Sequence, residues 1–139
     1  MIILDTNVVS ELMRPTPEPG VLAWLDGQPP DALWLTAVSV AELMFGVVRL
    51  PDGSRKRRIA QALAAVLAED FADRVFAFDV LAAANYAELV AARQRLGRPI
   101  AMADAQIAAI CQQHGATLAT RNQKDFEDLG LTLVNPWSA

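Results

Sequence analysis

Three acidic residues, Asp5, Glu42 and Asp104, stand where short apolar segments give way to helical patterns. Asp5 closes the run Ile2-Ile3-Leu4, Glu42 falls at the start of a helical pattern after Leu33–Ala37, and Asp104 opens the pattern Met102–His114. Asn122 and Asp125 follow the apolar run Thr117–Thr120, with Arg121 and Lys124 beside them. Carboxylates drawn together in a partly dry cleft repel one another and need shared protons or a cation. A set of oxygen donors without a histidine or thiol cluster selects a hard ion, Mg²⁺ or Mn²⁺, since zinc sites usually recruit nitrogen or sulfur. His114 and Cys111 sit at the far end of their helix from Asp104, so neither joins it.

Helical spacing supplies a facing for each acid. Positions three, four and seven residues further on share its face. From Asp5 these are Val8, Val9 and Leu12; from Asp104, Ile107, Ala108 and Cys111; from Glu42 the nearest two are Phe45 and Gly46. Each acid is therefore expected to head an apolar stripe and point towards the sheet. Each also has a structural role open to it. Ser39-Val40-Ala41-Glu42 matches a capping box. Asp104 in a first turn complements the helix dipole, worth about 0.3–1 kcal/mol, and Asp5 can bond its own backbone in an Asx turn. Three independent caps, however, have no reason to share one edge of a sheet. Trp24, Trp34 and Phe45 read as core or interface and His114 as an ordinary helix-end residue.

The elements needed to position these acids follow from the patterning. Five runs read as strands: Ile2–Asp5, Leu33–Ala37, Val75–Asp79, Thr117–Thr120 and Leu131–Val134. Most are uniformly apolar, as expected of parallel strands covered on both faces. Helices are expected over Asn7–Arg14, Glu18–Asp26, Ser39–Leu50, Ser54–Phe71, Val80–Leu96 and Met102–His114, the last two stopped by Gly97 and Gly115. The alternation predicts a three-layer α/β/α sandwich around a mostly parallel, roughly five-stranded sheet. In such a sheet ligands bind beyond the carboxyl ends of the strands, which is where all of these polar residues are expected.

The 139 residues have the size of one domain. A net charge of −4 does not suit a protein that coats nucleic acid by bulk electrostatics, though it allows an enzyme that grips a few phosphates. The one basic run, Arg55-Lys56-Arg57-Arg58, reads either as such a grip or as a solvated helix start. A single cysteine, Cys111, excludes an internal disulfide and fits a reducing compartment. With no signal peptide or spanning segment apparent, the expected location is the cytoplasm. Hydrophobic residues make up 53%, enough to leave a face for a partner or a second copy.

Four segments, Ile3-Leu4-Asp5-Thr6-Asn7-Val8-Val9-Ser10-Glu11, Thr36-Ala37-Val38-Ser39-Val40-Ala41-Glu42-Leu43, Ile100-Ala101-Met102-Ala103-Asp104-Ala105-Gln106-Ile107-Ala108-Ala109 and Leu118-Ala119-Thr120-Arg121-Asn122, recur in one order in a known family. The chain resembles the PIN-domain ribonucleases, and specifically the VapC-type toxins of toxin–antitoxin modules. Its closing Asn135-Pro136-Trp137 is similar to the subgroup labelled plasmid-stability proteins. The resemblance implies a single PIN domain over residues 1–139 whose carboxylates bind Mg²⁺ or Mn²⁺ and cleave RNA. Asp5, Glu42 and Asp104 fall on three of the family's acidic positions. At the fourth, this sequence carries Asn122 in place of the acid, with Asp125 three residues on, so one firmly held metal is expected rather than two. Asn7 and Thr120 match positions that orient the acids, and Arg121 and Lys124 stand where they can meet phosphate. The resemblance also implies a small antitoxin that blocks the site and carries the DNA-binding domain, and a homodimer.

Other readings of clustered acids fit less well. A phosphatase with an aspartyl nucleophile needs a second acid two residues after the first, and Asp5-Thr6-Asn7 has an amide there. A phospho-accepting receiver domain has Asp79 available but no acid beside Asp5. A catalytically weak or inactive PIN-like binding module remains compatible with Asn122.

Overall fold

Ile3 and Leu4 are neighbours in sequence, yet they enter different hydrophobic cores. That is the mark of a strand covered on both faces, because successive side chains of a strand point oppositely. The structure, a computed structural model, describes residues 1–139. Its strands are Ile2–Leu4 (β1), Leu33–Thr36 (β2), Val75–Phe76 (β3), Thr117–Ala119 (β4) and Leu133–Val134 (β5). They form one five-stranded sheet in the order β3-β2-β1-β4-β5, and every pairing is parallel. The helices are Thr6–Leu12 (α1), Pro19–Asp26 (α2), Ala37–Val48 (α3), Ser54–Ala65 (α4), Val80–Arg95 (α5) and Met102–His114 (α6).

One core joins Ile3 and Leu118 to Ala82 and Leu89 of α5 and to Ile107 and Ile110 of α6. The other joins Leu4, Leu35 and Ala119 to Val8, Val21, Leu43 and Leu63 from α1 to α4. The result is the expected three-layer sandwich. Each fully buried aliphatic side chain contributes about 1.5–3 kcal/mol by leaving water, so the alternation along β1 fixes which face each helix pair covers.

Several boundaries differ from the sequence expectation. Strands end earlier because apolar runs outlast their ladder bonds: β3 stops at Phe76, and Asp79 instead caps α5 by accepting from the Ala82 amide at 2.9 Å. Asp79 is thus the N-cap of α5. Helix α3 starts at Ala37, not Ser39, because Thr36 is its N-cap and accepts from the Ser39 amide at 3.1 Å. Helix α4 stops at Ala65, and Val66–Asp70 continue as a wider π-helical turn that leads Phe71 into the core. Helix α6 spans the expected residues, and Gly115 ends it at φ 59°, a left-handed geometry suited to glycine.

Strand β1 lies at the centre, with its onward connection to β2 on one side and β4 on the other. This reversal of direction opens a crevice at the carboxyl ends of β1 and β4. The register Leu4↔Ala119 then makes Asp5 and Thr120 the first residues past the sheet on either side of that crevice.

Candidate metal centre and phosphate cleft

The chain leaves β1 and turns at once into α1, so Asp5 follows the strand and caps the helix. Its Oδ1 accepts from the Thr6 amide at 2.8 Å. Its Oδ2 accepts from the Thr120 hydroxyl at 2.8 Å and from Asn7 Nδ2 at 3.4 Å. The residue is 5% exposed. Burial raises the Asp5 carboxyl above its ordinary range; the hydrogen bonds from Thr120 and Thr6 oppose this, and the charges of Glu42 and Asp125 add to it. Thr120 gives its one proton to Asp5 and accepts from the Asn122 amide at 3.0 Å and Asn7 Nδ2 at 3.4 Å. That is the full capacity of a hydroxyl. Asn7 in turn accepts from the Arg121 amide at 3.3 Å. Asn7 and Thr120 therefore tie the ends of β1 and β4 around one carboxylate.

Asp104 lies in the first turn of α6, half-buried. Burial, then repulsion from Asp5, Asp125 and Glu42, pushes its carboxyl up to about 6. Glu42 differs from expectation on two counts. With Thr36 as the cap, Glu42 sits in the second turn of α3, so the capping-box role is excluded. Its stripe also fails, since Phe45 is 64% exposed and α3 buries Ser39 and Leu43 instead. Glu42 is an exposed wall residue whose Oε1 accepts from Thr6 Oγ1 at 2.7 Å.

A cleft of about 470 Å³ contains Asp5, Asn7, Glu42, Asp104, Arg121 and Asn122, together with Thr6, Ser10, Glu11, Arg14 and Trp137. Of the other expected residues, Thr120 lies behind Asp5, fully buried. Asp125 and Lys124 are exposed in a 3-10 turn, Gln123–Phe126, outside the lining. Asp125 still acts on Asp5 and Asp104 through its charge.

No three His, Cys, Asp or Glu side chains are grouped closely enough to hold a metal ion by themselves. The donor chemistry nonetheless fits a hard divalent cation. Mg²⁺ keeps several waters and takes only one or two carboxylates directly, and the mutual repulsion on Asp104 is what a cation would relieve.

Glu11, Arg14 and Trp137 are site residues that the sequence reading does not assign. Glu11 is 4% exposed and accepts from the Glu18 amide at 3.0 Å and from Arg14 Nη1 at 3.1 and 3.0 Å. The Glu18 amide first, then the Arg14 guanidinium, hold its carboxyl below the usual range. The signal for this pair was the Glu11/Arg14 spacing of three on α1. Trp137, the one hydrophobic residue of the lining, has the Arg121 guanidinium 4.9 Å from its ring centre.

Comparison with known proteins is consistent in family and extent. Residues 2–130 match the PIN domain family model. The chain is 43% identical over 137 residues to the VapC ribonuclease Y4jK of Sinorhizobium fredii, covering 99% of this chain and 98% of that protein. It is 41% identical over 137 residues to toxin FitB of Neisseria gonorrhoeae, covering 99% of each. The crystal structure of FitAcB from Neisseria gonorrhoeae superposes with a TM-score of 0.93 at 40% identity, covering 100% of both chains.

Proposed function

The chain belongs to the PIN-domain family, and from that premise we propose that it is the ribonuclease toxin of a toxin–antitoxin module, dependent on Mg²⁺ or Mn²⁺. The observation that carries this reading is the charge state of the crevice. Asp104 is lifted to about 6 by burial first, and then by the negative charges of Asp5, Asp125 and Glu42 around the carboxyl ends of β1 and β4. Asp5 and Asp104 would hold the ion, with Glu42 ligating directly or through water. A bound divalent ion supplies a water of lowered pKa and neutralises charge growing on the phosphate oxygens.

The chain's own residues prepare the rest. Thr120 and Asn7 fix the Asp5 carboxylate by hydrogen bonds to Oδ2, so it does not reorganise when substrate arrives. Thr6 fixes Glu42 where it can orient an attacking water. Asn122 lines the cleft with a neutral amide at the position where the family resemblance implies an acid, which favours one ion over two. Asp125 adds negative field from outside the lining. Arg121 lines the same cleft and would meet the scissile or adjacent phosphate, with Lys124, outside the lining, for a more distant one.

No helix is long and apolar enough to cross a membrane, and we place the protein in the cytoplasm. A cognate antitoxin that covers the acidic site, bringing DNA contact only through itself, and a second copy of the chain are its proposed partners. Exposed apolar side chains on α3 and α5, including Phe45, Val48, Val80 and Leu81, leave surface for them.

The test is Asp5→Asn, which keeps the shape and the Thr6 cap but removes the charge. It is expected to abolish Mg²⁺- or Mn²⁺-dependent RNA cleavage while leaving the circular dichroism spectrum and unfolding cooperativity intact. Near-normal cleavage at saturating metal would refute the assignment. The dispersed acids and Asn122 favour one second reading, an inert PIN-like binding module. Titration calorimetry with Mn²⁺ at neutral pH separates the two, since the inert module takes up no metal.

A further inference from the structure

The cleft is lined by two unlike sets of groups: the carboxylates of Asp5, Glu42 and Asp104, and the guanidinium groups of Arg14 and Arg121. A cation among the acids accounts for the first set only. Both arginines are held by groups with no part in ligation. Glu11, buried on α1, takes Arg14 Nη1 on both of its oxygens. This leaves most of the five guanidinium N–H donors of Arg14 free, and its side chain is 62% exposed. The Arg121 charge also reaches Glu11, and its guanidinium lies against Trp137. Trp137 is itself fastened, its amide donating to Asn135 Oδ1 at 2.9 Å.

We infer that Arg14 and Arg121 form a two-guanidinium seat for the RNA phosphate flanking the scissile one, with Glu11 and Trp137 as the residues that position it. The inference rests on the nuclease reading for the identity of the ligand. Planar guanidinium groups suit a phosphodiester because two N–H donors match two phosphate oxygens. A carboxylate that already occupies one edge of Arg14 competes with the other acids of the cleft for it. The aromatic face holds Arg121 without using its in-plane N–H donors.

The experiment measures binding apart from cleavage. An end-labelled single-stranded oligoribonucleotide of mixed sequence is titrated with the Asp5→Asn protein across a range of salt concentrations, following fluorescence anisotropy. Each phosphate contact contributes a slope of about −0.7 to log K against log salt for single strands. Adding Arg14→Gln is expected to flatten the slope by about 0.7 and to weaken binding several-fold at low salt. Adding Trp137→Ala is expected to give a similar loss by freeing Arg121, and Trp137→Phe to restore most of it, a rescue that simple loss of packing would not predict for the salt slope. Unchanged slopes in both Arg14→Gln and Trp137→Ala would overturn the seat even if the wild type cleaves RNA. A wild type that binds with the expected slopes yet never cleaves would leave the seat standing and sink the nuclease reading.

Discussion

At the scale of single residues the deciding quantity is the cost of charge in the crevice. Asp104 stands at about 6 in the folded chain against an ordinary 3.8, so ionising it costs the folded state. Its contribution to stability is full below the ordinary value and is lost as pH rises through about 6. Asp5 is raised as well, and adds to the same trend. Glu11 and Asp79 are lowered, so they lose their contribution only in acid and do not oppose the trend above pH 5. The metal-free protein should therefore lose on the order of 1 kcal/mol between pH 5 and pH 7, solvent screening included. Urea unfolding in a chelator measures this, and Asp104→Asn should remove most of the loss. Equal pH dependence in the two proteins would show that Asp104 is not the group responsible. Metal affinity should rise over the same interval, since the ion competes with the proton. Asp5 and Asp104 were legible in the sequence because an acid directly after an apolar strand, or opening a buried helix, has few neighbours to satisfy it. Glu11 was not, because a Glu and an Arg three apart on a helix look like an ordinary surface pair; only burial separates the two cases.

At the scale of elements, the loop after β4 must be fixed before Arg121, Asn122 and Asp125 have any defined place. Helix α5 does this with Arg93, which is 5% exposed and has no carboxylate partner among the ion pairs. Its Nε donates to the Arg98 carbonyl at 2.8 Å, and its Nη1 donates to the carbonyls of Glu127 at 2.9 Å and Asp125 at 3.4 Å. Arg93→Met fills similar volume but leaves those acceptors without their charged donor. It should cost about 3 kcal/mol and speed amide exchange across residues 122–128 more than in α6. A uniform change in exchange would mean that Arg93 supports the fold generally and not this loop. A lone arginine in a helical pattern reads as solvent-facing, so this clamp was invisible before the fold. Other elements were legible to different depths for physical reasons. Helix α6 was readable end to end because its apolar face and its glycine stop coincide. The strands were read too long because apolar runs record burial, whereas a strand ends where its ladder bonds end. The start of α3 was misjudged because Thr36 and Ser39 are both good caps, and the β2 register decides between them.

At the scale of the whole molecule, the family match ends at residue 130, and we propose that the domain does not. Past that point the chain returns to the sheet as β5, where the Leu118 amide donates to the Thr132 carbonyl and the Thr120 amide to the Val134 carbonyl, both at 2.9 Å. Without β5, β4 becomes an edge with two unpaired amides, one of them on the residue that gives its hydroxyl proton to Asp5. The closing segment also serves both cores, since Leu131 and Leu133 pack on the α5–α6 side and Val134 and Trp137 on the α1–α4 side. Unpairing a buried amide costs about 1–3 kcal/mol and exposing each aliphatic side chain a similar amount. Together these approach the 5–15 kcal/mol by which a domain is stable at all. A chain ending at Gly130 should therefore lose cooperative thermal unfolding and show near-random dispersion in its amide NMR spectrum. Removing only Ser138 and Ala139, both exposed, should leave the transition unchanged. If the chain ending at Gly130 still unfolds in a single sharp transition, the domain closes where the family match does, and Trp137 is an appendage to the cleft and not part of the unit that builds it.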